Sequence, residues 1–447
     1  MIKRLIGRLM GQQPKKSSRP LRIPFEGHDI DIRKISPCAT RIISTLNQSG
    51  HEAYVVGGAV RDLLLDFTPK DFDVVTDATP EQVRRVFRNS RIIGRRFRLV
   101  HVYCGGDLVE VSTFRAPHET ADTQDRKGRV LRDNTFGSIN EDAIRRDFTV
   151  NALFYDMRTE EVLDFCGGYE DTRQSVLRII GAPMQRYRED PVRMLRAIRL
   201  SEKLGLTIES KTKAPFKKLA GLLGDVPTAR LYDEFIKIIK SGSSASAVEQ
   251  IVAHGFHAAL FKKLGKIAEK SKEGEFLQLV FRKTDERINS EKSISPAFLF
   301  AAILWSDVKV KWNYIEGDAK YMGTLARSID DVCDGMGQTF IPKRLIADVR
   351  DIWYLQGRLL ARRGKKPAQT LRHARFRAGY DFLELRGFAG EVAEDLVEWW
   401  RQFQEIPLED QEAWLERNNA GGSTGTKKRA RRRPRKKPSA DITAIDE

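Results

Sequence analysis

No part of this 447-residue chain constrains its fold more than Tyr54-Val55-Val56-Gly57-Gly58-Ala59-Val60-Arg61-Asp62, followed shortly by Lys70-Asp71-Phe72-Asp73-Val74-Val75. An apolar run that closes on two glycines and an arginine predicts a buried strand turning sharply into a helix. In the β-prone segment that follows, Asp71 and Asp73 project to one side while Phe72 and Val74 face a core. Gly57 and Gly58 lack a Cβ, so backbone N–H groups can come close to a triphosphate, and Arg61 can grip it bidentately. Two carboxylates at that spacing suit Mg²⁺, which takes one or two protein carboxylates and fills its shell with water and substrate phosphates. A tight turn and an N-capping aspartate would explain each motif singly. Side by side, they describe a phosphate-holding turn beside a metal-holding strand.

The formal charge of +17 and pI of about 9.7 point to a polyanionic partner. The nine basic residues between Lys427 and Lys437 leave +8 on the remainder, so the basicity is global as well as terminal. No apolar run approaches the length of a membrane span, and stable membrane insertion is not expected. Cys38, Cys104, Cys166 and Cys333 are scattered without a C-x-x-C pair, which suggests neither a zinc site nor a disulfide framework and fits a reducing cytoplasm. Met1 to Met10 is basic and faintly amphipathic, too interrupted for a secretory segment, and reads as a frayed end able to touch an anionic surface.

In chain order, residues 1–34 read as an extended lead-in. The His28-Asp29 dipeptide lacks the second His and Asp cluster that a metal hydrolase needs. Ile42, Ile43 and Leu46 recur at helical spacing between Pro37 and Gly50. Thr79-Pro80 predicts a capped helix with Val83, Val86 and Phe87 buried. A strand then carries Leu108-Val109-Glu110-Val111-Ser112-Thr113-Phe114-Arg115, with Glu110 facing away from Val109 and Val111. Glu110 is either an edge charge or a third carboxylate opposite Asp71 and Asp73. Ala116 to Asn134 is charged and reads as a mobile loop. Glu141 to Asp156 reads as a helix with Asp147 and Asn151 on one face, beside a stripe of Ile144, Phe148 and Ala152. Asp190 and Pro191 open a further helix whose Arg193, Arg196 and Arg199 form a basic ridge. Beyond residue 242 the chain is helical, and Trp399-Trp400 is expected in a core.

Read together, Gly57-Gly58 with Arg61-Asp62, Asp71-Phe72-Asp73, Glu110, Arg145 to Asn151 and Glu189-Asp190-Pro191-Val192-Arg193 resemble the class II nucleotidyltransferases. That family includes CCA-adding tRNA nucleotidyltransferases and bacterial poly(A) polymerases. The resemblance implies an α+β fold: a small head with a mixed β-sheet (35–180), a helical neck (181–242), a helical body (243–417) and a disordered basic tail (418–447), after the extended segment 1–34. It implies two Mg²⁺ ions on Asp71 and Asp73, with Glu110 helping to deprotonate the primer 3′-hydroxyl and Asp147 an alternative third acid. Gly57, Gly58, Arg61, Asp62 and Arg115 fall to the nucleotide, Asn151 with Asp147 to the ribose, and Glu189, Asp190, Arg193 and Arg196 to the base. The run Ile92 to Val102 and the basic tail resemble bacterial poly(A) polymerases, which implies template-independent addition of AMP from ATP to RNA 3′ ends in the cytoplasm. CCA addition is the alternative, and a non-catalytic RNA-binding protein a distant one. RNA-decay or RNA-chaperone proteins are the partners this reading suggests.

The tail residues Lys427, Lys428, Arg429, Arg431, Arg432, Arg433, Arg435, Lys436 and Lys437 offer little apolar surface and repel one another, so they should hold phosphate backbones without reading sequence. Deleting residues 421–447 is expected to weaken RNA binding and flatten its salt dependence. Single-nucleotide addition at saturating RNA should stay within about twofold of the full chain. A gel-based extension assay run alongside a salt titration checks both.

Overall fold

The computed structural model describes residues 19–94, 98–116, 135–315, 319–336 and 341–420. The basic tail, Met1 to Met10 and nearly all of the 116–134 loop lie outside them. The chain divides into two units, Met1–Trp353 and Tyr354–Glu447.

The first unit is built on an eight-stranded mixed sheet. Its strands are β1 (Leu21–Ile23), β2 (Ala53–Val56), β3 (Asp73–Thr76), β4 (Ser90–Ile93), β5 (Leu99–Cys104), β6 (Asp107–Thr113), β7 (Leu153–Asp156) and β8 (Glu161–Asp164). They lie in the order β1-β8-β7-β2-β3-β6-β5-β4. The β3–β6 pair is parallel, and its register sets Asp73 opposite Glu110. β2 is buried along its whole length, as befits a central strand covered on both faces.

One face carries the main core. Helix α1 (Pro37–Gln48) starts at Ser36, whose hydroxyl accepts from the Cys38 N–H, and it buries Ile42, Ile43 and Leu46. It is joined by α2 (Gly58–Leu64) and by α3 (Pro80–Val86), which Thr79 and Gln82 cap reciprocally. Beneath them lie Val55, Val74, Val100, Val102, Val109 and Val111. The opposite face has a smaller core of Tyr54, Val56, Val75, Phe114 and Phe154 under Ala143 of α4 (Ile139–Arg145).

Past the sheet the first unit is helical. It includes α5 (Pro183–Glu189), α6 (Val192–Leu204) and α7 (Thr228–Ile239). A short parallel pair, β9 (Val176–Leu177) with β10 (Thr207–Ile208), ties the end of the sheet region to the chain following α6. The second unit packs its helices around Trp400, Phe403, Leu383 and Leu355, so Trp400 is a core residue there. Among the described residues no helix is long and apolar enough to cross a membrane.

Three expectations need correction. The lead-in is not merely extended, because β1 pairs antiparallel with β8 and Ile23, Ile30 and Ile35 enter the core. His28 is fixed there too, its Nε2 within 2.9 Å of the Glu160 carbonyl. The helix expected over 141–156 stops at Arg145. A bridge between Phe148 and Ile179 and the Thr149 N–H bond to the Arg178 carbonyl turn the chain into a 3₁₀ turn at Thr149–Asn151 and then into β7. Finally, Cys38 and Cys104 form a disulfide with Cα atoms 5.7 Å apart. It arises because α1 packs across the sheet, a proximity that a sequence separation of 66 conceals.

The 3₁₀ turn is held from behind by the helix Gly168–Arg173, where the Thr149 hydroxyl donates to Asp171 at 2.7 Å. A Cβ on Gly168 would stand 2.1 Å from the Thr149 carbonyl oxygen, which is backbone and cannot yield. Gly168→Ala should therefore destabilise the protein by about 1–3 kcal/mol. Gly221→Ala, where a Cβ meets nothing within 4 Å, should change stability by less than about 0.5 kcal/mol. Denaturant unfolding of both variants provides the measurement.

Candidate active site

Gly57 ends β2 with φ +76°, a left-handed conformation that favours glycine, and its N–H donates to the Leu153 carbonyl at 3.0 Å. The turn delivers Arg61 into the protein, where it is 6% exposed. Its Nε donates to Asp62 Oδ1 at 2.9 Å and its Nη1 to the Asn151 side chain. Asp62 thus orients Arg61 while Asn151 ties it to the 3₁₀ turn.

β3 begins at Asp73, with Asp71 exposed just ahead of it and Phe72 tucked into the core. Glu110 faces Asp73 across the parallel pair and remains half exposed, with His101 Nε2 3.4 Å from its Oε1. Asp73 is itself open to solvent, yet crowding by neighbouring atoms and the charge of Glu110 push its carboxyl up to about 6, against the pull of Arg146. Asp71, Asp73 and Glu110 thus gather negative charge locally, on a ledge bordered by arginines. Among the described residues no group of three or more His, Cys, Asp or Glu side chains is gathered as in a closed metal cage. An ion that needs only one or two carboxylates and takes its remaining ligands from water and phosphate fits such an open ledge.

Two clefts meet at Asp73. The larger, about 480 Å³, is lined by Gly57, Gly58, Arg61, Asp147 and Asn151 from the sheet side, by Asp190, Arg193, Arg196, Arg199 and Leu200 around and along α6, and by Arg230 from α7. The smaller, about 200 Å³, is lined by Val56, Leu99, Glu110, Ser112, Arg115, Asp142 and Arg145. Arg146 and Asp73 border both. Arg146 is itself held by Asp142 at 2.8 Å and lies over the Phe154 ring.

The larger cleft is closed by charge pairs. Arg196 reaches Asp147 with Nη2 at 2.6 Å and Nε at 2.8 Å, and Asp147 also accepts from the Phe148 N–H and from Asn151 Nδ2. Burial alone would push the Asp147 carboxyl up, but Arg196 and these hydrogen bonds outweigh it and hold the carboxyl well below the usual carboxylate range. Behind it, Arg199 donates to the buried Glu234 at 2.6 Å. Arg230 binds Asp190 at 2.8 Å, and Asp190 also accepts from the Val192 N–H.

Of the sequence candidates, the larger cleft brings together Gly57, Gly58, Arg61, Asp73, Asp147, Asn151, Asp190, Arg193 and Arg196. Glu110 and Arg115 instead border the smaller one. Glu189, the last residue of α5, lines neither: its carboxylate holds Arg186 at 2.7 Å and Arg193 at 3.2 Å and so aims Arg193. Sequence reasoning missed Arg146 and Arg230 as site residues. Arg146 lies within the Arg145-Arg146-Asp147 run and was within reach of inference, whereas Arg230 carried no local signal.

A mixed sheet whose paired acids face a glycine turn, backed by an arginine-lined helix, defines a nucleotidyltransferase. The family model described as "Poly A polymerase head domain" matches residues 53–178, and those for a probable RNA and SrmB-binding site and an arginine-rich C-terminus of polymerase A match 205–267 and 317–437. Poly(A) polymerase I of Escherichia coli is 43% identical over 94% of this chain and 93% of its own length. The chain belongs to the bacterial poly(A) polymerase family. A CCA-adding enzyme of Bacillus subtilis is 35% identical over only 49% of this chain and 54% of its own. The solved structure of Bacillus stearothermophilus CCA-adding enzyme in complex with CTP shares the fold, with a TM-score of 0.54, 25% identity and coverage of 87% of this chain and 83% of that one.

The Asp147–Arg196 pair makes a pH prediction. The folded carboxyl titrates below its unfolded value of about 3.9, so its stabilisation is fully present above that value and is lost as pH falls through the folded one. Arg196 is 32% exposed at its side chain, which discounts the pair to about 2 kcal/mol, between the surface and buried extremes. Asp147→Asn should lower stability by that amount at pH 7, and the gap should begin to narrow below about pH 4 and close only as pH falls through the folded value. Denaturant unfolding at a series of pH values measures it.

Proposed function

We propose that this chain adds AMP from ATP to RNA 3′ ends without a template. The carrying observation is the meeting of the two clefts at Asp73, which gives a nucleoside triphosphate and a second substrate separate spaces bordering one carboxylate. Near full-length similarity to poly(A) polymerase I supports polyadenylation over CCA addition, for which the similarity spans about half the chain.

In this reading the backbone around Gly57 and Gly58, with Arg61, holds the triphosphate, and Asp147 with Asn151 orders the wall beside the ribose. Arg193, aimed by Glu189, and Asp190, held by Arg230, read the base edge, where a wrong base leaves buried polar groups unpaired. Asp71 and Asp73 would hold Mg²⁺, which when bound stabilises charge on the attacking and leaving oxygens. Glu110 takes the proton of the RNA 3′-hydroxyl as that oxygen bonds to the α-phosphorus. The bond from the α-phosphorus to the bridging oxygen breaks, and pyrophosphate leaves with the electron pair.

We assign the sheet region 35–180 to this chemistry, 181–242 to base and RNA recognition, and 243–417 with the tail to RNA capture. The match of residues 205–267 to a region described as a probable RNA and SrmB-binding site supports RNA, and a protein partner of the RNA-decay or RNA-chaperone kind, there. The bacterial relatives and the basic composition support a cytoplasmic site of action.

Asp73→Ala should reduce AMP addition at least a hundredfold while leaving the fold intact, a loss of the size usual for removed transition-state electrostatics. Arg193→Ala should relax the preference for ATP over CTP by roughly tenfold or more. Incubation with generic RNA, or with tRNA lacking its CCA end, under ATP alone or ATP with CTP tests the activity directly. Long A-tracts on generic RNA are expected, and a C-C-A product confined to tRNA would overturn the reading.

A further inference from the structure

The sheet face that carries Glu110 is only half covered. Over β7, β2 and β3 it packs under α4, Phe114 and Phe154, but among the described residues it is open over β6, β5 and β4. Strand alternation shows the contrast. Val100, Val102, Val109 and Val111 are 0–2% exposed on the core side, whereas Tyr103 is 42% and Leu108 46% exposed on the other. Tyr103 and Leu108 are direct cross-strand partners, one step beyond the pair of His101 with Glu110. They lie toward the sheet edge where Val56, opposite Asp73, leads into Gly57. Arg91 of β4, opposite His101, is exposed on the same side.

We propose that this open face seats the 3′-terminal nucleotides of the RNA acceptor, a role that rests on the adenylyl-transfer reading. The terminal ribose sits over Glu110, at the end of the smaller cleft nearest Leu108, with its 3′-hydroxyl toward that carboxylate. The terminal base stacks on the Tyr103 ring flanked by Leu108, and Arg91 meets a backbone phosphate. Three observations favour single-stranded RNA as the occupant. The reaction needs an acceptor hydroxyl beside Asp73 as well as the triphosphate, and the smaller cleft, lined by both Asp73 and Glu110, is a separate space for it. The face is continuous with Glu110 through the β5–β6 register. An exposed aromatic ring beside an arginine in a strongly basic chain is the pairing that holds unpaired bases irrespective of sequence, as untemplated extension requires.

The test uses the full chain and a short oligoribonucleotide of about six residues, so that distant basic contacts add little. Tyr103→Ala should raise the KM for this RNA roughly tenfold, the scale of one lost base stack, with kcat and the KM for ATP within about twofold. Tyr103→Phe should restore the KM. Independently of catalysis, an oligonucleotide ending in 2-aminopurine should lose fluorescence on binding the wild type and the Phe variant, and keep it with the Ala variant. If all three proteins add AMP with the same RNA KM and the same quenching, the platform is wrong while the activity stands. If Tyr103→Ala instead changes only the sedimentation of the protein, the face belongs to a second copy and the inference is overturned. If the wild type adds no AMP to any RNA, the functional reading itself fails, and retained quenching would then be a property of RNA binding alone.

Discussion

Everything at the active site depends on the parallel pairing of β3 with β6, which brings Asp73 and Glu110 face to face. Two carboxylates in this position repel one another, and neither strand would hold them there without compensation from the other face. Val74 and Val111, the residues next to the two acids, are 0% and 1% exposed in the main core. A one-residue slip of either strand would send its acid into that core and its valine into water, so apolar burial fixes the register. The repulsion that remains adds to the crowding around Asp73, and together they raise its carboxyl above the ordinary range.

The larger cleft is a second consequence of charge placement. Asp147, on the chain between α4 and β7, meets Arg196 on α6, and Arg199 beside it meets Glu234 on α7. One ladder of ion pairs therefore joins the sheet to two helices, so the glycine turn and the arginines, proposed here to meet phosphates and base, keep a fixed spacing. Glu189 and Asp62 act one step back. Each spends its charge on an arginine, Arg193 and Arg61 respectively, and so directs that guanidinium.

How far the sequence revealed this followed from physical range. The alternation around Asp73 and Glu110, the helix after Ser36 and the Thr79 cap are local patterns, and local patterns are legible. The stripe of Ile144, Phe148 and Ala152 misled because its helical spacing was genuine while the bridge from Phe148 to Ile179 is non-local. β1 has three residues, too few for any period to show. The Cys38–Cys104 pair, the Arg230–Asp190 contact and the division of the site into two clefts depend on elements far apart in the chain, and the motifs say nothing of them. The acids and glycines were identifiable by type and spacing. Their assignment to separate clefts was not.

Asp71 and Asp73, with Glu110 facing them, are proposed to be relieved of their mutual repulsion by a divalent cation. Calorimetric titration of Mn²⁺ into the full chain, in two buffers of different ionisation enthalpy, tests it most directly. Proton release should accompany binding at pH 6, where the Asp73 carboxyl is partly protonated, fade by about pH 8, and vanish in Asp73→Asn. Binding at pH 6 with no proton release, or with the same release in Asp73→Asn, would contradict it.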